Sequence, residues 1–175
     1  YDEEDSEKLL KTCLEQLQLN GEKGLLRKVR LQISSAKNDL LSPDGIKNDA
    51  QLREVYDLYQ TKLKECNALD FDDLLYLPVR LFREHEAVKQ IYQNRWTFVL
   101  IDEYQDTNLA QYTLAKLLVE KHNNIFAVGD PDQSIYSWRG ARYENILNFE
   151  SDFPGAQVVT LDQNYRSTNT ILQGA

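Results

Sequence analysis

Two adjacent carboxylates, Asp102 and Glu103, follow an apolar run without a turn residue in FVLIDEYQDTN (98–108). An Asp at a strand end suits Mg²⁺, a hard cation that takes one or two carboxylates and keeps several waters. A neighbouring Glu can orient or deprotonate a water that attacks phosphate. The same short string also fits a solvated strand end, because an apolar run followed by two acids recurs by chance. A second grouping, SIYSWRGA (134–141), spaces Tyr136 and Trp138 two residues apart with Arg139 beside them. In extended backbone the two aromatics share a face. Their rings offer any unstacked base a π-face, and the guanidinium can hold phosphate or stack, which is the chemistry of a single-strand channel. Core packing is the other use of a Tyr-x-Trp pair.

Such groups need rigid supports, and the spacing of apolar residues indicates which elements supply them. From about residue 96 the runs WTFVLI, NIFAVG and AQVVTL alternate with helical stretches, as buried parallel strands do in an open α/β sheet. Leu109, Tyr112, Leu114, Leu117 and Leu118 mark a helix between the first two runs, with Thr107 or Asn108 as its cap. Ligands of such sheets gather at the carboxyl ends of the strands. Polar residues follow each run: Asp102 and Glu103, then Asp130 and Gln133, then Asn164, Tyr165 and Arg166. Three strand ends are therefore expected to converge on one edge.

The first part of the chain reads as helices. Leu52, Val55, Tyr56, Tyr59 and Leu63 recur at amphipathic spacing over about 48–66, and Leu9, Leu10, Cys13, Leu14 and Leu17 do the same near the start. LLSPDGIKND between them is a turn. With 42% hydrophobic and 27% charged residues in 175, the composition excludes a disordered chain and allows one domain with a small insert. No apolar run approaches the roughly 18 residues of a membrane span. The acidic start YDEEDSEKLL is unlike a secretory signal, so a cytoplasmic location is expected. Cys13 and Cys66 lack Cys or His neighbours at metal-ligand spacing and read as ordinary thiols. The formal net charge of −8 argues against nucleic acid, but residues 23–37 hold Lys23, Arg27, Lys28, Arg30 and Lys37 and no acid. That run reads either as a solvated helix face or as a phosphate contact.

FVLIDEYQDTN, FAVGDPDQSIYSWRGA (126–141) and LDQNYRST (161–168), in this order and spacing, closely resemble the second, third and fourth motifs of UvrD/Rep/PcrA-type superfamily 1 DNA helicases. NALDFDDLL (67–75) resembles the segment preceding the second motif, and residues 1–50 match only loosely, at the position of a helical insert. The resemblance implies an α/β fold, a partial RecA-like P-loop NTPase parallel sheet with a mostly helical inserted subdomain. The insert would span residues 1–66, and the partial first motor domain residues 67–175. It implies ATP and Mg²⁺, with Asp102 as metal ligand, Glu103 as catalytic base, Gln133 as γ-phosphate sensor, Arg166 on the γ-phosphate and Tyr165 stacked on adenine. Tyr136, Trp138 and Arg139 would contact single-stranded DNA, with Phe71 as a further base contact. Partners implied are single-stranded DNA, single/double-strand junctions and a second motor domain of the same parent chain, for 3′ to 5′ translocation in repair or replication. The basic run is a candidate duplex contact.

Three features depart from that pattern. None of the seven Gly precedes a Lys, so no G-x-x-x-x-G-K-[ST] phosphate loop is present, and the 175-residue chain alone is expected neither to hydrolyse ATP nor to unwind DNA. Arg142 stands where many members carry an acid, and Pro78 is expected to kink the helix after FDDLL. Other classes remain open to the residues alone. The acids Asp102, Glu103, Asp106, Asp130 and Asp132 could form a two-metal nuclease site, and the aromatics could serve a non-enzymatic single-strand-binding module. A helicase-nuclease motor would share the helicase motifs.

Overall fold

The computed structural model describes residues 1–19, 23–137 and 140–174. Helix α1 (Glu3–Gln16) starts where Asp2 accepts the Asp5 N–H at 2.9 Å, with Glu3, Glu4 and Asp5 on the positive end of the helix dipole. Helix α2 (Leu25–Asn38) follows, then a 3₁₀ turn at Pro43–Gly45 where the SPDG turn is expected. Helix α3 (Ala50–Glu65) begins at Asp49, whose carboxylate accepts the Leu52 N–H at 2.8 Å. All three helices stop in the same way. Gln18, Leu40 and Asn67 take left-handed backbone at φ 58°, 58° and 49°. The next N–H then turns back to the third-last helical carbonyl: Leu19 to Leu14 at 2.8 Å, Leu41 to Ala36 at 2.8 Å, Ala68 to Leu63 at 2.9 Å. The three helices bury one continuous core that includes Leu10, Cys13, Val29, Ile33, Tyr56 and Leu63.

The remaining elements carry the expected site. Helix α4 (Asp73–Glu84) runs through Pro78 as one assigned helix, and the carbonyl deprived of its donor, that of Leu74, lies in the first turn. Helix α5 (Glu86–Arg95) leads to strand β1 (Val99–Ile101), and helix α6 (Leu109–Val119) to strand β2 (Ile125–Ala127). Asn108 caps α6 in a reciprocal pair: its side chain accepts the Gln111 N–H at 2.9 Å, and its own N–H donates to Gln111 Oε1 at 3.0 Å. Short helices α7 (Glu144–Leu147), α8 (Phe149–Asp152) and α9 (Asn169–Gly174) complete the order. Helix α4 packs on α6, and α2 reaches both.

Among the described residues the sheet has two strands, parallel, in register Val99↔Ile125, Leu100↔Phe126 and Ile101↔Ala127. This parallel pair with its helical surroundings bears out an α/β architecture at that coarse level. It corrects two finer expectations. AQVVTL forms no strand, and Val158, Val159 and Leu161 are exposed. An apolar run becomes a strand only when its N–H and C=O groups find a ladder, and no such pairing is made here. Nor are β1 and β2 buried on both sides: Phe98, Leu100, Phe126 and Val128 face solvent, while Val99, Ile101, Ile125 and Ala127 are half-buried. No described helix is long and apolar enough to cross a membrane.

Candidate functional site

The parallel ladder continues past both strands. The Val128 N–H donates to Ile101 C=O at 2.8 Å and the Tyr104 N–H to Val128 C=O at 2.9 Å, so the residues after β1 and β2 leave the sheet together. Glu103 then reverses the chain with left-handed backbone (φ 50°, ψ 43°), a conformation that costs a non-glycine residue on the order of 1 kcal/mol. The next residue anchors this strained turn. Tyr104 is buried, edge-on to Phe149 at 5.3 Å, and burial raises its phenol far above the ordinary value. The reversal leaves Asp102 and Glu103 exposed on one rim.

Asp102 spends Oδ1 on the Glu103 N–H at 2.9 Å, and its exposed carboxylate retains a second oxygen suited to a hard cation. Among the described residues no three Asp, Glu, His or Cys side chains are grouped as a metal site. A cation here would therefore take one carboxylate and complete its shell with water and phosphate oxygens, the habit of Mg²⁺. The five acids proposed for a two-metal nuclease are not gathered into one. Glu103 Oε2 accepts from Gln105 Nε2 at 2.8 Å, and Gln105 Oε1 accepts the Asp130 N–H at 3.0 Å. Asp130 in turn accepts from Gln133 Nε2 at 2.6 Å and from the Asp132 N–H at 3.0 Å. Glu103 and Gln133 thus stand on one connected rim with Asp102.

Phe71 lies elsewhere and is 67% exposed. Its neighbours on both sides are locked inward. Lys37, wholly buried, pairs with Asp70 at 2.6 Å and Asp73 at 2.8 Å. The Tyr59 hydroxyl donates to Asp70 Oδ2 at 3.0 Å, and Asp70 and Asp73 accept each other's N–H groups at 2.9 and 3.2 Å. Burial, then the Asp70 charge, pushes the Tyr59 phenol well up. Asp72 is bonded by Asn38 at 2.9 Å, and burial holds its carboxyl above the ordinary value. With its flanks fixed, Phe71 edges a cleft of about 280 Å³ together with Leu10, Arg30, Leu31 and Tyr59.

The other expected residues lie apart from that rim or beyond it. Tyr136 is partly exposed beyond Gln133, and Trp138 and Arg139 lie outside the described residues. Tyr165 is 86% exposed with its hydroxyl on Gln163 at 3.0 Å, and the Arg166 N–H donates to Asn164 at 2.9 Å. Both belong to the unpaired stretch after AQVVTL, and no described hydrogen bond or ion pair joins either to the rim of Asp102, so two strand ends converge rather than three. The basic run also divides: Lys37 is buried, Arg30 is paired with Glu3, and Lys23, Arg27 and Lys28 face solvent. The last three are the cations of the run that are both exposed and, among the described residues, without an ion pair. Arg142, which departs from the family pattern, donates to Asp39 Oδ1 at 2.7 Å and ties the end of α2 to the second region.

Residue types alone did not single out Gln105 or Gly129, and they read Lys37 as one charge of a basic run. Gln105 is a neutral amide in the string DEYQD and is only 1% exposed; a Cβ on Gly129 would stand 2.6 Å from Gln105 Oε1 and 2.8 Å from Ile146 Cδ1.

The strand-end rim and the helical unit define a class that comparison with known proteins makes specific. The chain matches the model of the UvrD/REP helicase N-terminal domain over residues 1–154, and it belongs to that family. It is 45% identical over 181 residues to ATP-dependent DNA helicase Rep of Salmonella typhimurium, covering 100% of this chain and 27% of that protein. Rep of Escherichia coli gives the same figures. ATP-dependent DNA helicase PcrA of Staphylococcus aureus is 44% identical over 180 residues, covering 99% of this chain and 25% of that protein. The likeness therefore includes the first fifty residues, which the motifs matched only loosely, and the chain spans about a quarter of these relatives' length.

Proposed function

We propose that the protein carrying this chain is an ATP-dependent DNA helicase that couples ATP hydrolysis to 3′ to 5′ movement on single-stranded DNA and to duplex unwinding. The observation that supports it most is the connected rim, where an exposed carboxylate pair and the amide of Gln133 leave adjacent parallel strands. Asp102 would hold Mg²⁺, which supplies charge neutralisation for the transferring phosphoryl group. Glu103 takes the proton of the attacking water, with its carboxylate set by the Gln105 N–H. Gln133 offers an amide that bonds phosphate oxygen and water alike. Arg166 and Tyr165 would join the nucleotide, the guanidinium on the γ-phosphate and the ring on adenine, once their segment is seated against it. Phe71, Tyr136, Trp138 and Arg139 would take up bases and phosphates of the single strand, and Lys23, Arg27 and Lys28 the duplex at a junction. A second motor domain in the same protein would close over the nucleotide.

The test is DNA-stimulated ATP hydrolysis by the complete protein with and without Glu103→Gln. The amide keeps size and loses basicity, so kcat should fall by about 10²–10⁴ with ATP binding retained. Undiminished turnover would remove Glu103 from its role.

A further inference from the structure

We propose that Gln105 is a positioning residue that links the Glu103 carboxylate to the loop bearing Gln133 and Tyr136, so that events at one strand end are felt at the other. The link rests on the roles proposed for Glu103 and Gln133. Gln105 is almost wholly buried between the two strand ends and uses both ends of its amide. The orientation is dictated by its partners. A backbone N–H only donates, so Asp130 must face the amide oxygen; an ionised carboxylate only accepts, so Glu103 must face the NH₂. No other uncharged side chain of that length serves both at once.

The surroundings reserve the place. Gly129 lies so close to the amide oxygen, 2.6 Å from an added Cβ, that any side chain there would push Gln105 aside. Beyond Asp130 the path continues to Gln133, whose N–H donates to Asp130 C=O at 3.0 Å and whose amide donates to Asp130 Oδ2 at 2.6 Å. Two side chains, Gln105 and Asp130, therefore separate the carboxylate from the Gln133 amide. Gln105 occupies one oxygen of Glu103 and leaves the other for water, which fixes the direction from which a proton is taken. A buried amide that loses either bond is left with an unsatisfied polar group, so a shift of Asp130 or of Glu103 favours a matching shift of the other.

The test uses the complete protein with a thymidine homopolymer as the single strand, and compares Gln105→Leu and Gln105→Glu with wild type and Glu103→Gln. Leu fills the space and makes neither bond: DNA-stimulated kcat should fall about tenfold, the worth of one charge-assisted hydrogen bond. KM for ATP should stay within about twofold, since a positioning residue alters kcat rather than uniform binding, and the ATP consumed per nucleotide travelled should rise, since the link between the two strand ends is cut. Glu retains the acceptor for Asp130 and so seats the loop, but it removes the donor to Glu103. It should keep single-strand affinity and lose turnover at least as far as Leu. A wild-type ratio of ATP to nucleotides in Gln105→Leu, with only its thermal midpoint lowered, would reduce Gln105 to a packing residue and overturn the proposal. Wild-type turnover in Gln105→Glu would do the same. Turnover retained in Glu103→Gln would instead sink the role of Glu103, and the link with it.

Discussion

The first three helices and the strand-bearing region after them differ in how completely each satisfies itself. In α1–α3 the buried apolar residues form one core within about sixty residues of chain, and each helix closes its own end with a left-handed residue and a backward hydrogen bond. Among its described residues the second region makes one short parallel pair and leaves Phe98, Leu100, Phe126 and Val128 in solvent on one side of it. A helix pairs its backbone internally, whereas a parallel strand depends on chain that is distant in sequence. The scaffold of the first region is thus built from local contacts, while the chemistry of the second sits where local contacts run out.

The largest structural effect should come at the joint between the regions. Lys37→Met would leave Asp70 and Asp73 facing each other without their cation, and urea unfolding should show a loss of about 3–5 kcal/mol, the cost of breaking a buried pair from one side. Adding Asp70→Asn and Asp73→Asn should recover part of it. Failure of Lys37→Met to destabilise would mean that the two regions are joined by other contacts, such as Asn38 with Asn108 at 2.6 Å.

Next comes a matched pair of truncations. Leu63→Ala opens a cavity in a packed helical core and should cost about 2–5 kcal/mol, whereas Leu100→Ala on the open sheet face should change stability by no more than about 0.5 kcal/mol. Equal costs in the same melts would abolish the contrast between the regions. The smallest effect belongs to the solvent face of α2. Charge reversal at Arg27 and Lys28 in the complete protein should lower the slope of log affinity against log salt at a duplex junction by roughly one to two, with single-strand affinity preserved. An unchanged slope would assign those charges to solubility alone.

Helices α1, α3 and α6 were legible because their signal is local. The spacing Leu52, Val55, Tyr56, Tyr59, Leu63 predicts 48–66 and α3 spans Ala50–Glu65, with each of those five residues buried. The first two strands were legible as short apolar runs, and Asp102, Glu103 and Gln133 as the polar residues after them. AQVVTL carries the same kind of signal and forms no strand, because hydrophobicity states that a segment favours burial and not that a pairing edge is present. Lys37 looked like one more charge in a basic run; nothing in its own neighbourhood announces two carboxylates more than thirty residues away.

By itself, then, the sequence determined the helical character of the first region, the presence of strand ends bearing acids, and the motifs that place the chain in its family, all of which depend on residue type and short spacing. Tertiary structure alone decided that Gln105 bridges Glu103 to Asp130, that a side chain at Gly129 would displace the Gln105 amide oxygen, and that Lys37 is a buried ion partner rather than a surface charge. The physical reason is that burial and hydrogen-bond partnership are properties of pairs. A polar residue reads the same in a sequence whether its partner is water or a carboxylate on another element, and only the folded chain brings the two together.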